Sequence, residues 1–207
     1  MVTAIGVDAC RHLRGRNNLL LLAALPVVLG AHQLDESLVW WGLRGDVPHA
    51  LGRVAMWIYL LIALIVVPIL VPLAIYRLEV TPSRKRTILP FLVLGVGVAT
   101  ALLIRMLRGP VSVRQGSFHL AYSIGLQHGL VIIGFYIVAT CGALLFSGYR
   151  HILIFGVANL VAVVVLARLT ADGFASLWCF YAALASGAIS LHMRFGKPHR
   201  AKPYALT

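Results

Sequence analysis

Apolar runs nearly long enough to cross a lipid bilayer recur along this chain, and they restrict its fold more than any other feature. IYLLIALIVVPILVPLAIY occupies residues 58–76 and ILIFGVANLVAVVVLA residues 152–167. At 1.5 Å of rise per residue, about 20 helical residues cross the hydrocarbon core. A soluble domain of 207 residues would need more polar surface than a chain that is 60% hydrophobic and 12% charged, with mean hydropathy +0.92. The expected fold is an all-α membrane protein.

Seven apolar segments are read along the chain, at residues 1–13, 18–43, 48–78, 87–106, 122–146, 149–167 and 174–193. The first is too short to span comfortably. The intervening loops are short, so residues 1–207 are expected to form a single transmembrane helical domain of about seven helices. VSVRQGSFHLAY (residues 111–122) alternates polar and apolar residues around Gln115-Gly116 and predicts a small β-hairpin capping the outer side. Pro26, Pro68 and Pro72 fall inside spans and predict kinks.

The net charge of +12 is not read as a nucleic-acid signal, because Lys and Arg sit in clusters between spans. Twelve of the 18 lie in one set of alternate loops: Arg11, Arg14, Arg16, Arg77, Arg84, Lys85, Arg86, Arg150, Arg194, Lys197, Arg200 and Lys202. The other set holds Arg44, Arg53, Arg105, Arg108, Arg114 and Arg168. The positive-inside rule then gives a multi-pass protein of the bacterial cell membrane with a cytoplasmic C-terminus. Cys10, Cys141 and Cys179 are odd in number and far apart, and are read as apolar packing residues.

AHQLDESLVWW (residues 31–41) is the most unusual stretch. At 100° per residue, Asp35, His32, Glu36, Gln33 and Trp40 share one side of the second segment, in its outer half. Carboxylates at membrane depth must face the interior or take a proton, and two neighbours are not both expected to ionise. Trp57, Tyr59, His119, Tyr122, Arg105, Asp172 and Trp178 are expected at similar depth, with Asn159 deeper. Plainer readings stand beside this one. The tryptophans suit an interfacial belt, Asp172 a helix N-cap and Asp46 a solvated loop, and Asp35 and Glu36 could form ion pairs with Arg105 or Arg168.

Several chemistries are disfavoured. The three lysines, Lys85, Lys197 and Lys202, fall in loops or the tail, so no span offers a Schiff base for retinal. Six acids without a DxxxD pattern do not supply a magnesium diphosphate site, and HExxH and GxSxG are absent. A zinc hydrolase built on His32, His119, His128 and His192 is weakened because His192 is expected at the opposite face. No metal or cofactor is therefore expected. Proton-initiated chemistry on an apolar substrate needs neither, only a neutral carboxyl in a dry cavity walled by aromatic faces.

GVDACRHLR, LGAHQLDESLVWWGL, HLAY, LLFSGYRHILIFGVANL and FASLWCFYAALASGAISLHMR, in that order, resemble a group of small actinobacterial integral-membrane proteins of unknown function. More distantly, the size, helix number and acidic face are similar to the seven-helix integral-membrane terpene cyclases. That resemblance implies cyclisation of a farnesyl-type prenyl chain carried on a small acceptor, with membrane lipids as the other partner. The expected general acid is Glu36 or Asp35, oriented by His32 and Gln33. Trp40, Trp57, Tyr122 and Trp178 would line the cavity with Asn159, and Asp172 or His119 would serve as second acid or terminal base. The alternative is a non-catalytic membrane carrier or lipid-binding protein, and less favoured is a metal-dependent lipid hydrolase.

Overall fold

The computed structural model describes residues 20–116, 119–126 and 129–169, with side chains through residue 165. Helix α1 covers Leu20–Arg44. A second continuous helix follows as α2 (His49–Leu61), a π-helical turn (Ile62–Val66) and α3 (Val67–Leu78). Then come α4 (Pro82–Arg108), strands β1 (Ser112–Gln115) and β2 (Leu120–Ser123), α5 (Gly129–Leu145) and α6 (Arg150–Leu169). The described residues thus hold five helices and a two-stranded antiparallel sheet. Two of the helices, His49–Leu78 and Pro82–Arg108, are long and apolar enough to cross a membrane, with hydropathy 3.0 and 2.4 over their best windows.

The expected helical fold with its hairpin is therefore present, and among the described residues two helices, not seven, are long and apolar enough to span. The segments read at residues 1–13 and 174–193 lie outside the described residues. The segment beginning at Asn18 becomes α1, whose C-terminal half is diluted by His32, Gln33, Asp35 and Glu36. The fourth segment begins at Pro82 rather than Thr87, because proline suits the first helical turn, where its missing N–H would have had no partner. The fifth begins at Gly129 rather than Tyr122. Tyr122 pairs with Val113 across the sheet, and Gly125, at φ +61°, turns the chain out of it. Arg105 holds that turn by donating to the Gly125 carbonyl through Nε at 2.9 Å and also through Nη2.

The turn from α1 to α2 ends the first helix with Gly45 at φ +82° and an Asp46 N–H bond to the Trp41 carbonyl at 2.9 Å, a Schellman closure. Immediately beyond, the two helices meet backbone to backbone. A methyl added to Gly42 would sit 2.6 Å from the Gly52 Cα, and one added to Gly52 would sit 2.8 Å from the Gly42 Cα. Only glycine at both positions allows this approach. At the crossing of α3 and α4, Gly95 lies against the Pro68 carbonyl in the same way.

Pro68 also accounts for the π turn. The Val67 N–H reaches back five residues to the Ile62 carbonyl. The next donor in that register would be residue 68, which as proline has no N–H. The Ala63 carbonyl therefore lacks a helical donor, and the Tyr136 hydroxyl of α5 donates to it at 2.8 Å. The kink expected from proline is thus a π turn one step ahead of it.

Buried side chains form two clusters at opposite ends. The hairpin end joins Val39, Met56, Tyr59, Leu102, Met106 and Leu120. The other end joins Ile75, Leu78, Ile88, Leu144 and Ile152. Outward faces remain apolar, with Leu130 88% exposed and Val93, Leu107, Val131, Ile154 and Val161 also open.

Adding one methyl should separate close from open glycines. Gly95→Ala is expected to cost about 1–3 kcal/mol by overpacking. Gly97→Ala, with nothing within 4 Å, should be neutral or slightly stabilising through helix propensity. Thermal unfolding of both variants in one detergent checks this, and equal melting temperatures would refute the close crossing.

Candidate functional site

At the hairpin end, α1 turns His32 and Glu36 inward one helical turn apart, at 0% and 7% exposure. The next apolar residue in the same row is Val39, also buried. The His32 ring stacks on Tyr59 of α2, with centroids 4.0 Å apart and planes at 21°. Tyr59 stacks in turn on Tyr122 of β2, at 4.3 Å and 11°. The three rings form a column from α1 through α2 to the hairpin, and Tyr59 at its centre is wholly buried.

One hydrogen bond orients the imidazole. His32 Nε2 lies 3.0 Å from the Tyr59 carbonyl oxygen, which can only accept, so Nε2 carries the hydrogen. In the neutral ring Nδ1 is then left as an acceptor. His32 Nδ1, Gln33 Nε2 and Asp35 Oδ2 are buried atoms with no hydrogen-bond partner among the described residues. One helical turn therefore carries three buried polar atoms: an acceptor, an amide donor and a carboxyl oxygen.

The other expected site residues divide among several places. Trp40 and Trp57 are half-buried and pack against the cluster that contains Tyr59, and the Arg44 guanidinium sits 5.4 Å above the Trp40 ring. Ser37 uses its hydroxyl within α1, donating to the Gln33 carbonyl at 3.3 Å. The His119 ring folds over Gly116 in the hairpin turn. Asn159 lies between α5 and α6, where its amide donates to Cys141 Sγ at 3.7 Å, while Arg105 is engaged with Gly125. Asp172 and Trp178 lie outside the described residues. No group of three or more His, Cys, Asp or Glu able to hold a metal occurs among the described residues.

The central role of Tyr59 was not evident beforehand. Apolar length places it in a helix, but which face of a uniformly apolar helix turns inward has no signal in such a segment. Glu79 reads from the sequence as a partner for nearby arginines, and its contacts to residues 147 and 148 carry no sequence signal. It is 4% exposed just past α3 and ties two distant turns together. Its Oε1 accepts from Ser147 Oγ at 2.9 Å and from the Gly148 N–H at 2.7 Å, and the Tyr149 N–H donates to Ser147 Oγ at 3.3 Å. The Tyr149 phenol is raised above its ordinary value of 10.0, first by burial and then by the Glu79 charge. This knot joins the α3–α4 turn to the α5–α6 turn at the end opposite the ring column.

The chain belongs to a family of unknown function (DUF6629), whose model matches residues 1–204. No curated protein and no solved structure matches it.

The Glu79 knot is expected to be structural. Glu79→Gln and Ser147→Ala should each cost about 1–3 kcal/mol, since each leaves a buried polar group short of a partner. A double-mutant cycle on unfolding free energies should give a coupling of at least about 0.5 kcal/mol. Full additivity would mean that the contact carries no stability.

Proposed function

We propose that this chain is an integral-membrane enzyme that cyclises a prenyl chain by proton transfer from a buried carboxyl. The observation that carries this reading is Glu36, turned into the bundle one turn from a wholly buried His32 at the head of the His32–Tyr59–Tyr122 column. Membrane embedding is supported by two spanning-length apolar helices and by the exposed valines, leucines and isoleucines of α4, α5 and α6. The proposed topology is multi-pass, with the Arg84–Arg86 end and the C-terminus cytoplasmic and the hairpin end outside, following the distribution of basic residues.

In this reading Glu36 acts in its protonated form. Its O–H bond breaks, the electron pair of a terminal alkene forms a new C–H bond, and a tertiary carbocation and a carboxylate remain. A second alkene attacks the cation and closes a ring. Loss of a proton from a neighbouring carbon restores an alkene, and the product is an isomer of the substrate. The proton returns through the lone pair of His32 Nδ1 to the Glu36 carboxylate. Tyr122 at the end of the column offers its outer face to the moving charge, with Trp40 and Trp57 nearby, while Tyr59, covered on both faces, fixes the column. Gln33 and Asp35 supply the polar contacts that hold the acceptor group of the substrate.

One observation favours a second reading. His32 and Tyr59 are both 0% exposed, so their rings fill the interior they share. A filled column suits a carrier or lipid-binding bundle in which the same residues are structural. The two readings part on Glu36→Gln. The catalytic reading expects a folded variant of nearly wild-type melting temperature that has lost isomer formation. The structural reading expects a lower melting temperature and no isomer from either protein.

Membranes containing the full chain, incubated with farnesylated small molecules, should yield a product of unchanged mass and altered chromatographic retention. Absence of any isomer across the panel with folded protein would sink the cyclase. Topology is tested separately in cells with cysteines placed at Ser112→Cys and Arg86→Cys in a background lacking the native thiols. A membrane-impermeant maleimide should label the first and spare the second. The reverse pattern would invert the orientation.

A further inference from the structure

Helices ordinarily place acidic residues in their first turn, where the backbone dipole is positive. None of the described helices has an acidic residue in its first turn, and the two that begin at the Glu79 end carry cations there instead. Helix α4 opens as Pro-Ser-Arg-Lys-Arg and α6 as Arg-His, with no acidic residue in either first turn. Arg77 closes α3 beside them. The Glu79 knot draws these starts to one place, since Glu79 leads into α4 and Ser147-Gly148 lead into α6. Arg84 Nε flanks Gly148 together with the Glu79 carboxylate, and a methyl there would lie 3.6 Å from Arg84 Nε and 3.2 Å from Glu79 Oε2. Lys85 Nζ sits 5.5 Å from the Tyr76 ring centre, which holds its stem along the surface.

Five cations, Arg77, Arg84, Lys85, Arg86 and Arg150, thus fall in or next to the first turns of two helices brought together by the knot, with Glu79 between those helices. Its Oε1 already accepts two hydrogen bonds. The surface next to them is apolar, with Val80, Leu89, Leu153 and Ile154 exposed. We infer that this end is a binding site for the headgroup phosphate of an anionic glycerophospholipid, whose acyl chains lie along α4 and α6. Charge complementarity selects the anion, and the adjoining apolar strip selects a lipid over a free phosphate. The inference rests on the membrane embedding proposed above and is independent of the cyclisation chemistry.

The test uses the full chain, delipidated in a neutral detergent, and binding of fluorescent phosphatidylglycerol against phosphatidylcholine. Preferential binding of phosphatidylglycerol is expected. The triple variant K85Q/R86Q/R150Q should weaken it by about fivefold for each cation removed. The variant R53Q/R108Q/R114Q, with the same charge change at the hairpin end, should leave it unchanged. If the first triple variant is not folded by thermal unfolding, the pair K85Q/R86Q serves, since neither residue bonds to the Glu79 knot. Equal binding of phosphatidylcholine, or equal weakening by both triple variants, would overturn the site. Complete displacement by millimolar inorganic phosphate would assign it to free phosphate instead of a lipid. None of these readouts involves turnover, so failure here and failure of the cyclase reading are separate results.

Discussion

The fold rests on how closely its helices can approach. In the membrane embedding proposed above, lipid tails are as apolar as leucine side chains, and helices gain little from hiding leucine against leucine. What holds them is van der Waals contact at short range, and that requires the absence of side chains at the crossing. Gly42 against Gly52 supplies this for α1 and α2, and Gly95 against the Pro68 carbonyl supplies it for α3 and α4. The ring column depends on the first of these crossings, because His32 meets Tyr59 only while α1 lies directly on α2.

Around those crossings the polar groups of the interior are used with little waste. Pro68 removes one backbone donor, the helix answers with a π turn, and Tyr136 supplies the missing hydrogen bond from a helix 73 residues away. Arg105 clamps the hairpin exit, and Glu79 clamps two turns at the other end. The exception is the turn containing His32, Gln33 and Asp35, where three buried polar atoms have no hydrogen-bond partner among the described residues. Unsatisfied buried polar atoms are costly in a core and are retained where something else uses them.

Much of this architecture was legible from hydropathy and turn chemistry. Apolar length marked the helices, and alternation around Gln115-Gly116 marked the hairpin, because both signals come from local backbone physics. Pro82 was overlooked as a helix start because the charged residues after it mask the apolar pattern. Tyr122 falls in both the expected hairpin and the fifth apolar segment, and its partner Val113 settles it as a strand residue. The acidic face of α1 was visible in the spacing of His32 and Glu36. The stack with Tyr59 was not, since two apolar helices can rotate freely about their axes without changing their sequence pattern. Asn159 shows the same limit, since nothing in the sequence points to its neighbour Cys141 on the preceding helix.

The π turn has a consequence for how the long helix can change. A turn with one residue more than the α-helical 3.6 amounts to a single inserted residue accommodated without breaking the helix. Residues before it, including Tyr59, and residues after it, including Ile75, therefore follow two separate angular phases offset by about 100°. Removing one residue from the Ile62–Val66 stretch would restore a plain α-helix and swing one half relative to the other by that angle. The hairpin half and the Glu79 half of the bundle are in this sense two reading frames written on one helix, and the five residues between them keep both aligned.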